Sequence, residues 1–226
     1  MFEHVEVELT EMESVTTESG RKYRTPEGVD LPSITTVLSI LSREGIAKWR
    51  KKVGEEEANR ISRIASTRGT AVHECMEDYI NNVPLEELKK KYLPNIIHDF
   101  SSIANIVASR IGKVYAQEAP LYSNHLGVAG RVDCVAEFDG KLSIIDFKTS
   151  RKAKKTEWIT NYFMQESAYA IMWEERTGIP ITQLVTIIAV DDDFPQVFIE
   201  HRDNWVRPLR ETIAQYNEEN SGSLFV

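Results

Sequence analysis

The end of one apolar run has residue types and spacing that suit catalysis. Residues 142–145 read L-S-I-I and continue directly into Asp146, Phe147 and Lys148. Alternate side chains of a strand share a face, so the carboxylate and the ammonium lie on one face and Phe147 lies on the other. A surface ion pair at a solvated strand end has the same spacing and contributes little to stability. This spacing alone does not distinguish a surface ion pair from a reactive site, so the neighbouring sequence is needed to do so.

A second carboxylate is expected to approach Asp146 across a hairpin. Asp133 lies thirteen positions earlier, and the D-G pair at 139–140 between them is a tight-turn signal. Two converging carboxylates repel unless a cation separates them, and their oxygens suit Mg²⁺ or Mn²⁺. Lys148 beside such an ion could orient an attacking water or stabilise the charge that develops on a phosphate. The residues therefore predict a metal-dependent phosphoryl-transfer site.

This arrangement resembles the PD-(D/E)XK nuclease superfamily. Asp133, Asp146 and Lys148 match its two acids and its lysine, although Val132 stands where the strict motif has proline. The stretches R-G-T-A-V-H-E at 68–74 and Q-E-S-A-Y at 165–169 are similar to the G-T-x-x-H and Q-x-x-x-Y motifs of the RecB-like exonuclease branch. Within that branch, residues 31–202 are similar to the mitochondrial genome maintenance exonucleases and their phage and bacterial relatives.

The resemblance implies a role for each matched residue. The ligands it implies for Mg²⁺ or Mn²⁺ are His73, Asp133, Asp146 and the backbone carbonyl of Phe147. Glu118 stands where the branch often carries another acid, and a surface ion pair explains it equally well. Lys148 would position the attacking water, and Gln165 would help to hold Lys148 or the phosphate.

Basic and hydroxyl residues near these motifs are candidates for DNA contact. The run R-K-A-K-K at 151–155 directly follows the proposed catalytic strand, which favours contact with phosphates. The full candidate set is Ser33, Thr35, Arg68, Arg131, Thr149, Ser150, Arg151, Lys152, Lys154, Lys155 and Tyr169. Trp49, Tyr162 and Phe163 could stack on bases, but core packing is expected for two of the three.

The activity implied by the resemblance is metal-dependent hydrolysis of DNA from free ends, with a preference for single strands. The expected protein is a monomer in the cytoplasm of a bacterium or a phage-infected cell, with partners among replication or recombination proteins. Two alternatives stay open. One is a structure-specific endonuclease that cuts flaps or junctions on the same fold. The other is a DNA-binding repair or recombination accessory that has lost catalysis.

Composition narrows the choice of protein class. The formal net charge of −8 argues against a protein that coats nucleic acid indiscriminately. The two cysteines, Cys75 and Cys134, are too few to bind an iron–sulfur cluster and are expected to be reduced core thiols. No apolar stretch approaches the ~18 residues that suggest a membrane span, and the acidic start M-F-E-H-V-E fits no targeting peptide.

The order of the predicted helices and strands indicates a single α/β (α+β) domain with a mixed sheet and helices on both faces. These elements must position the candidate residues. Residues 1–111 are expected to form a strand and helical elaboration carrying His73, residues 112–202 a restriction-endonuclease-like αβββαβ core, and residues 203–226 a helix and tail. The predicted strands are 5–9, 21–24, 114–122, 127–138, 141–147, 184–190 and 196–200. The predicted helices are 34–41 capped by Ser33, 49–64, 70–80, 94–111, 157–176 and 203–216.

Overall fold

The computed structural model describes residues 1–221 and confirms a mixed α/β fold. Its strands are β1 (Glu13–Thr17), β2 (Gly20–Arg24), β3 (Asp30–Pro32), β4 (Ile111–Ser123), β5 (Val128–Phe138), β6 (Lys141–Ser150), β7 (Gln183–Val190) and β8 (Gln196–His201). Its helices are α1 (Ile34–Leu38), α2 (Arg43–Val53), α3 (Glu55–Ile80), α4 (Leu85–Lys91), α5 (Pro94–Arg110), α6 (Thr160–Thr177) and α7 (Asp203–Ser221). Short 3₁₀ turns cover Ser39–Leu41 and Thr156–Trp158.

The main sheet places the proposed catalytic strand at its centre. Its order is β4-β5-β6-β7-β8, with β6 and β7 parallel and the other neighbours antiparallel. Strands β4, β5 and β6 follow one another along the chain, whereas α6 makes the crossover that a parallel pair requires. The order αβββαβ is therefore confirmed. Strands β1, β2 and β3 form a separate small antiparallel sheet.

Helices cover both faces of the main sheet. On one face, Val135 and Ile144 pack with α1, α6 and α7, and Trp173 is fully buried there. On the other face, Cys134 and Ile145 pack with α3, α4 and α5. Because Ile144, Asp146 and Lys148 alternate with Ile145 and Phe147, the polar pair extends the apolar row that lies beneath α6.

The structure differs most from the sequence prediction in the first 80 residues. The predicted strand at 5–9 is wrong: Val7 and Leu9 do pack against the core, but the segment pairs only at His4, through an isolated bridge to Val114. The two helices predicted at 49–64 and 70–80 are also wrong in their boundaries. The chain breaks earlier, at Gly54, whose φ of 88° is left-handed, and α3 then runs unbroken through Gly69.

Other differences are small. Strand β1 was not predicted, because all five of its side chains are exposed and give no apolar alternation. Strand β6 is longer than predicted and includes residues 148–150, so Lys148 lies inside the strand. The Ser33 cap is confirmed, since its Oγ accepts a hydrogen bond from the Thr36 amide at 3.1 Å. The predicted tail, residues 222–226, lies outside the described residues. None of the described helices is both long and apolar enough to cross a membrane.

Candidate active site

The register of three adjacent strands aligns three acidic residues. In the antiparallel pairing of β4 and β5, Glu118 stands opposite Asp133, because the residues on both sides of it are paired. The β5–β6 register, continued by one residue, sets Asp133 opposite Asp146. Glu118 has a φ of 44°, a left-handed conformation that non-glycine residues rarely adopt and that is common at functional sites. The strand order therefore brings these carboxylates together.

Helix α3 supplies the imidazole of His73 to this row. Val72, Cys75 and Met76 are buried in the core, which fixes the rotation of the helix around His73. The Nδ1 atom of His73 lies 3.3 Å from an oxygen of Asp133 and 4.0 Å from Oε1 of Glu118. Burial of one face of α3 thus directs His73 towards the acids.

His73, Glu118 and Asp133 form a group that could hold a metal ion. One ligand atom from each lies within 4.8 Å of the others. The Asp133 carboxylate is fixed in direction, because its Oδ2 also accepts a hydrogen bond from the Phe147 amide at 3.0 Å. Two carboxylates and one imidazole suit a divalent ion such as Mn²⁺ or Mg²⁺. Sequence reasoning left Glu118 open, and the structure places it among these potential ligands.

Asp146 lies outside this group of three. Its side chain is 2% exposed and forms an ion pair with the Lys148 ammonium. Gln165 of α6 donates a hydrogen bond to Oδ1 of Asp146 at 3.3 Å, so it contacts the carboxylate rather than the lysine. The ion pair confirms that Asp146 and Lys148 share a face. The proposed ligand roles of Asp146 and of the Phe147 carbonyl stay predictions.

The electrostatics of the site favour a bound cation. Burial, together with the nearby Asp133 carboxylate, raises the pKa of Glu118 to about 7. Burial also raises the pKa of Asp146 to about 6, against the opposing effect of the Lys148 ammonium. Burial alone would lower the pKa of Lys148, but attraction to Asp146 and Asp133 raises it, so the ammonium stays charged. A divalent ion among these groups would relieve the repulsion between the acids.

The site opens into a cleft of about 800 Å³. The lining includes candidate residues of the site. Helix α3 forms one wall of the cleft with Gly69, Thr70, Glu74 and Glu77. The lining residues with ordinarily charged side chains are Arg21, Glu74, Glu77, Glu118, Arg131, Asp133 and Lys148. Acids outnumber bases in this set by four to three, so a phosphate would meet net repulsion until a cation is bound.

Four of the DNA-contact candidates line this cleft: Ser33, Thr35, Arg131 and Tyr169. Thr35 and Arg131 are exposed, whereas Ser33 and Tyr169 are each 2% exposed. The Arg131 guanidinium donates a hydrogen bond to the Glu118 carbonyl. Tyr169 sits against Gly130, where an added Cβ would approach its ring to 2.7 Å. The absence of a side chain at Gly130 therefore creates the space that Tyr169 occupies.

The candidates from the end of β6 and from the basic run are not among the residues that line the cleft. Thr149 is half-buried, and Ser150 is buried with its hydroxyl bonded to the Lys152 carbonyl. Arg151, Lys152 and Lys155 are exposed. Lys154 is half-buried, and its backbone is tied to the Gln196 side chain by hydrogen bonds of 2.6 and 2.9 Å.

Arg68 requires a correction. Its guanidinium forms a two-pronged contact with Asp99, at 2.6 and 2.8 Å, and also binds Asp191. These bonds link α3 to α5 and to the end of β7, outside the cleft lining. All three guanidinium nitrogens are already engaged, so we withdraw Arg68 from the DNA-contact set and assign it to holding the helices on the sheet.

Tyr162 and Glu166 make contacts near the site that sequence reasoning did not predict. The Lys148 Nζ lies 5.3 Å from the centre of the Tyr162 ring, a cation–π contact that holds the ammonium from a second side. Glu166 is fully buried, and its carboxyl accepts a hydrogen bond from the Thr186 hydroxyl. Burial raises the pKa of Glu166 well above its usual value. Nothing in the sequence distinguishes Glu166 from an ordinary helical acid beside Gln165.

Comparison with known sequences adds a family and its relatives. A sequence model of the PD-(D/E)XK nuclease superfamily matches residues 46–219. The chain is 27% identical to human mitochondrial genome maintenance exonuclease 1 over 132 residues, which cover 55% of this chain and 38% of that protein. It is 27% identical to the Xenopus tropicalis protein of the same name over 178 residues, covering 73% of this chain and 50% of that protein. The chain thus spans half or less of the length of these curated relatives.

Proposed function

The chain belongs to the PD-(D/E)XK nuclease superfamily, and from this membership and the site geometry we propose that it is a metal-dependent DNA exonuclease. The observation that carries the proposal is the convergence of His73, Glu118 and Asp133 beside the Lys148–Asp146 pair in one cleft. Ligands for a cation and an ammonium that can face a phosphate are the two requirements of phosphodiester hydrolysis by such enzymes.

Each side chain has a task that follows from its contacts. A divalent ion held by His73, Glu118 and Asp133, with Asp146 as a further proposed ligand, would supply a water nucleophile at neutral pH and positive charge beside the phosphate. Lys148 is fixed between Asp146 and the Tyr162 ring, so its ammonium is already oriented to align the water and to stabilise charge on the phosphate oxygens. Gln165 keeps Asp146 in place.

The shape of the cleft supports an unpaired strand as substrate. Helix α3 forms one wall with Thr70, His73 and Glu77, while Arg21 and Thr35 line the cleft as well. A single strand can present one phosphate at a time to such a site, whereas a duplex carries a second charged strand that the acidic wall of α3 repels. We propose Mg²⁺ or Mn²⁺ as the ion and a cytoplasmic location for the protein.

A cleavage assay tests the activity. Linear single-stranded DNA labelled separately at each end, linear duplex and circular single strands are incubated with Mg²⁺, with Mn²⁺ and with EDTA. An exonuclease degrades linear strands only with metal and leaves circles intact, and the two labels give its direction. Cleavage of circles would instead support an endonuclease, and DNA binding without cleavage would support the accessory.

The Lys148→Ala variant tests the mechanism. We expect its cleavage rate to fall by a factor of about 10² or more, as when one stabilising donor is removed from a transition state. Lys141→Ala is the matched control, because Lys141 is exposed at the other end of the same strand. Full activity in a folded Lys148→Ala protein would refute the role of Lys148.

A further inference from the structure

The 3₁₀ turn between the basic run and α6 carries an indole in an unusual position. The side chain of Trp158 is 61% exposed, whereas Trp173 fifteen residues later is fully buried. Leaving an indole in water forfeits the stabilisation that its burial would bring. The exposure of a tryptophan next to a catalytic element therefore suggests that its ring binds a ligand.

Hydrogen bonds and a buried neighbour anchor the backbone of the turn that carries Trp158. The Trp158 amide donates a hydrogen bond to the Lys155 carbonyl at 2.9 Å, and the Tyr162 amide donates one to the Ile159 carbonyl at 2.8 Å. Ile159 itself is 1% exposed and packs with Phe163 in a buried cluster. The indole is thus presented on an anchored turn, which reduces the entropy lost when a ligand stacks on it.

Positive charge surrounds this indole. The Lys155 Nζ lies 5.2 Å from the centre of the Trp158 ring. Residues 151–158 contain four cationic side chains and one acidic side chain, in a protein with a net charge of −8. An aromatic face with adjacent ammonium groups matches a nucleotide, whose base stacks while its phosphate pairs with the cation.

The turn that carries Trp158 lies between the proposed catalytic strand β6 and helix α6, which contacts the catalytic lysine. Tyr162, four residues further on, packs against the Lys148 ammonium. Four residues of chain span at most about 14 Å between Cα atoms, so the backbone of Trp158 lies within that distance of the residue whose ring contacts the catalytic lysine. A strand whose phosphate lies at Lys148 would have neighbouring nucleotides at this distance.

We propose that Trp158, with Lys155, is a stacking platform for a base of the single-stranded DNA substrate, adjacent to the cleft. This inference rests on the proposed function and specifies how an unpaired strand is recognised. A base paired within a duplex keeps its faces stacked on its neighbours, so the platform selects nucleotides that are free to stack on protein. Recognition is independent of base identity, because every base offers a π face.

The test is a binding measurement that does not depend on turnover. Fluorescence anisotropy with Mn²⁺ compares labelled phosphorothioate oligo(dT), whose linkages resist hydrolysis, with an abasic phosphorothioate oligomer of the same length and charge. The proteins compared are the parent, Trp158→Ala, Trp158→Phe and Phe194→Ala. Phe194 is the control, since it is 86% exposed on the β7–β8 turn and lies outside the basic run. Urea unfolding confirms that each variant is folded.

We expect Trp158→Ala to weaken oligo(dT) binding by about five- to a hundredfold and to leave abasic binding unchanged. Trp158→Phe should restore most of the affinity, and Phe194→Ala should match the parent. The proposal is overturned if Trp158→Ala binds oligo(dT) like the parent, or if it loses affinity for both oligomers equally. If the wild-type protein cleaves DNA in those cases, the platform alone is wrong; if it neither binds nor cleaves DNA, the proposed function fails too.

Discussion

Replacement of Arg68 separates a structural role from a DNA-binding role. The substitution Arg68→Met removes the guanidinium but keeps the length and helix propensity of the side chain within α3. It leaves behind two carboxylates, Asp99 with 8% of its side chain exposed and Asp191 with 31%. Methionine cannot replace the two-pronged hydrogen bond to Asp99 or the hydrogen bonds to Asp191, because its side chain has no donor.

The loss of stability in Arg68→Met depends on how deeply each carboxylate that loses its partner is buried. Breaking a buried ion pair by removing one partner costs about 3–5 kcal/mol, because the other charge stays buried without compensation. Asp99 meets that description, whereas water can solvate Asp191 in part. We therefore expect the low end, a loss of about 3 kcal/mol in the free energy of unfolding. For a chain of this length this lowers the melting temperature by about 6–12 °C.

The pH dependence of stability should change in the same variant. Arg68 holds the pKa of Asp191 below its usual range. A depressed carboxyl pKa gives stability that is present above the unfolded pKa of about 3.9 and is lost as pH falls through the lower folded value. Arg68→Met should lose this contribution, so the difference from the parent should shrink as the solution is acidified below about pH 4.

Urea unfolding and DNA binding are the two assays. Arg207→Gln serves as the control for unfolding, because it breaks an exposed pair with Glu211 and should change stability little. Adding Asp99→Asn to Arg68→Met should recover part of the loss, since the stranded charge is gone. DNA affinity and its salt dependence should be unchanged in folded Arg68→Met. A small stability change, together with a salt slope reduced by about 0.7 for a single strand, would refute the reasoning and return Arg68 to the DNA interface.

Three further predictions concern the cleft. Gly130→Ala should lower both the melting temperature and the cleavage rate, because the added Cβ would approach the Tyr169 ring to 2.7 Å. Gly45→Ala is the control and should be neutral or slightly stabilising, because a Cβ there meets nothing within 4 Å. Equal melting temperatures and equal cleavage rates for the two variants would contradict this prediction. Affinity for Mn²⁺ should fall as pH is lowered through about 7, the folded pKa of Glu118. Metal binding near that pH should release protons, which calorimetry in several buffers detects, and Glu118→Gln should reduce this release. Without metal, that raised pKa means Glu118 destabilises the fold as pH rises from about 4.3 to about 7, so Glu118→Gln should be more stable than the parent at pH 8, and an unchanged melt would contradict it.

Sequence reasoning predicted the contacts in the site between residues that are close together along the chain. Asp133 and Asp146 are thirteen positions apart on one hairpin, so alternation and a turn signal were enough to bring them together. Gln165 and Tyr169 share a helix face for the same reason. His73 lies sixty positions before Asp133, and only the resemblance to a known family suggested that they meet.

The parts that could not be predicted depend on distant partners or on which face of an element is buried. Arg68 was assigned to DNA from its neighbours in the motif, but its partners lie 31 and 123 positions away. The burial of Glu166 depends on α6 being enclosed on nearly every side, by β6, β7 and α7. Val7 and Leu9 show the converse case, in which alternation correctly identified a half-buried face although the segment has no strand partner.

The two ends of the long helix α3 are expected to differ in local stability. Residues 59–71 of the helix contain no buried side chain, and α2 before it contains none either, whereas Val72, Cys75, Met76 and Ile80 are fixed in the core. Amides in residues 59–66 should therefore exchange their hydrogens through local openings that cost far less than global unfolding, and amides from Val72 onwards only when the core opens. His73 lies just inside the slow-exchanging segment, so this candidate metal ligand stays in place while the part of α3 that precedes the cleft wall opens and closes.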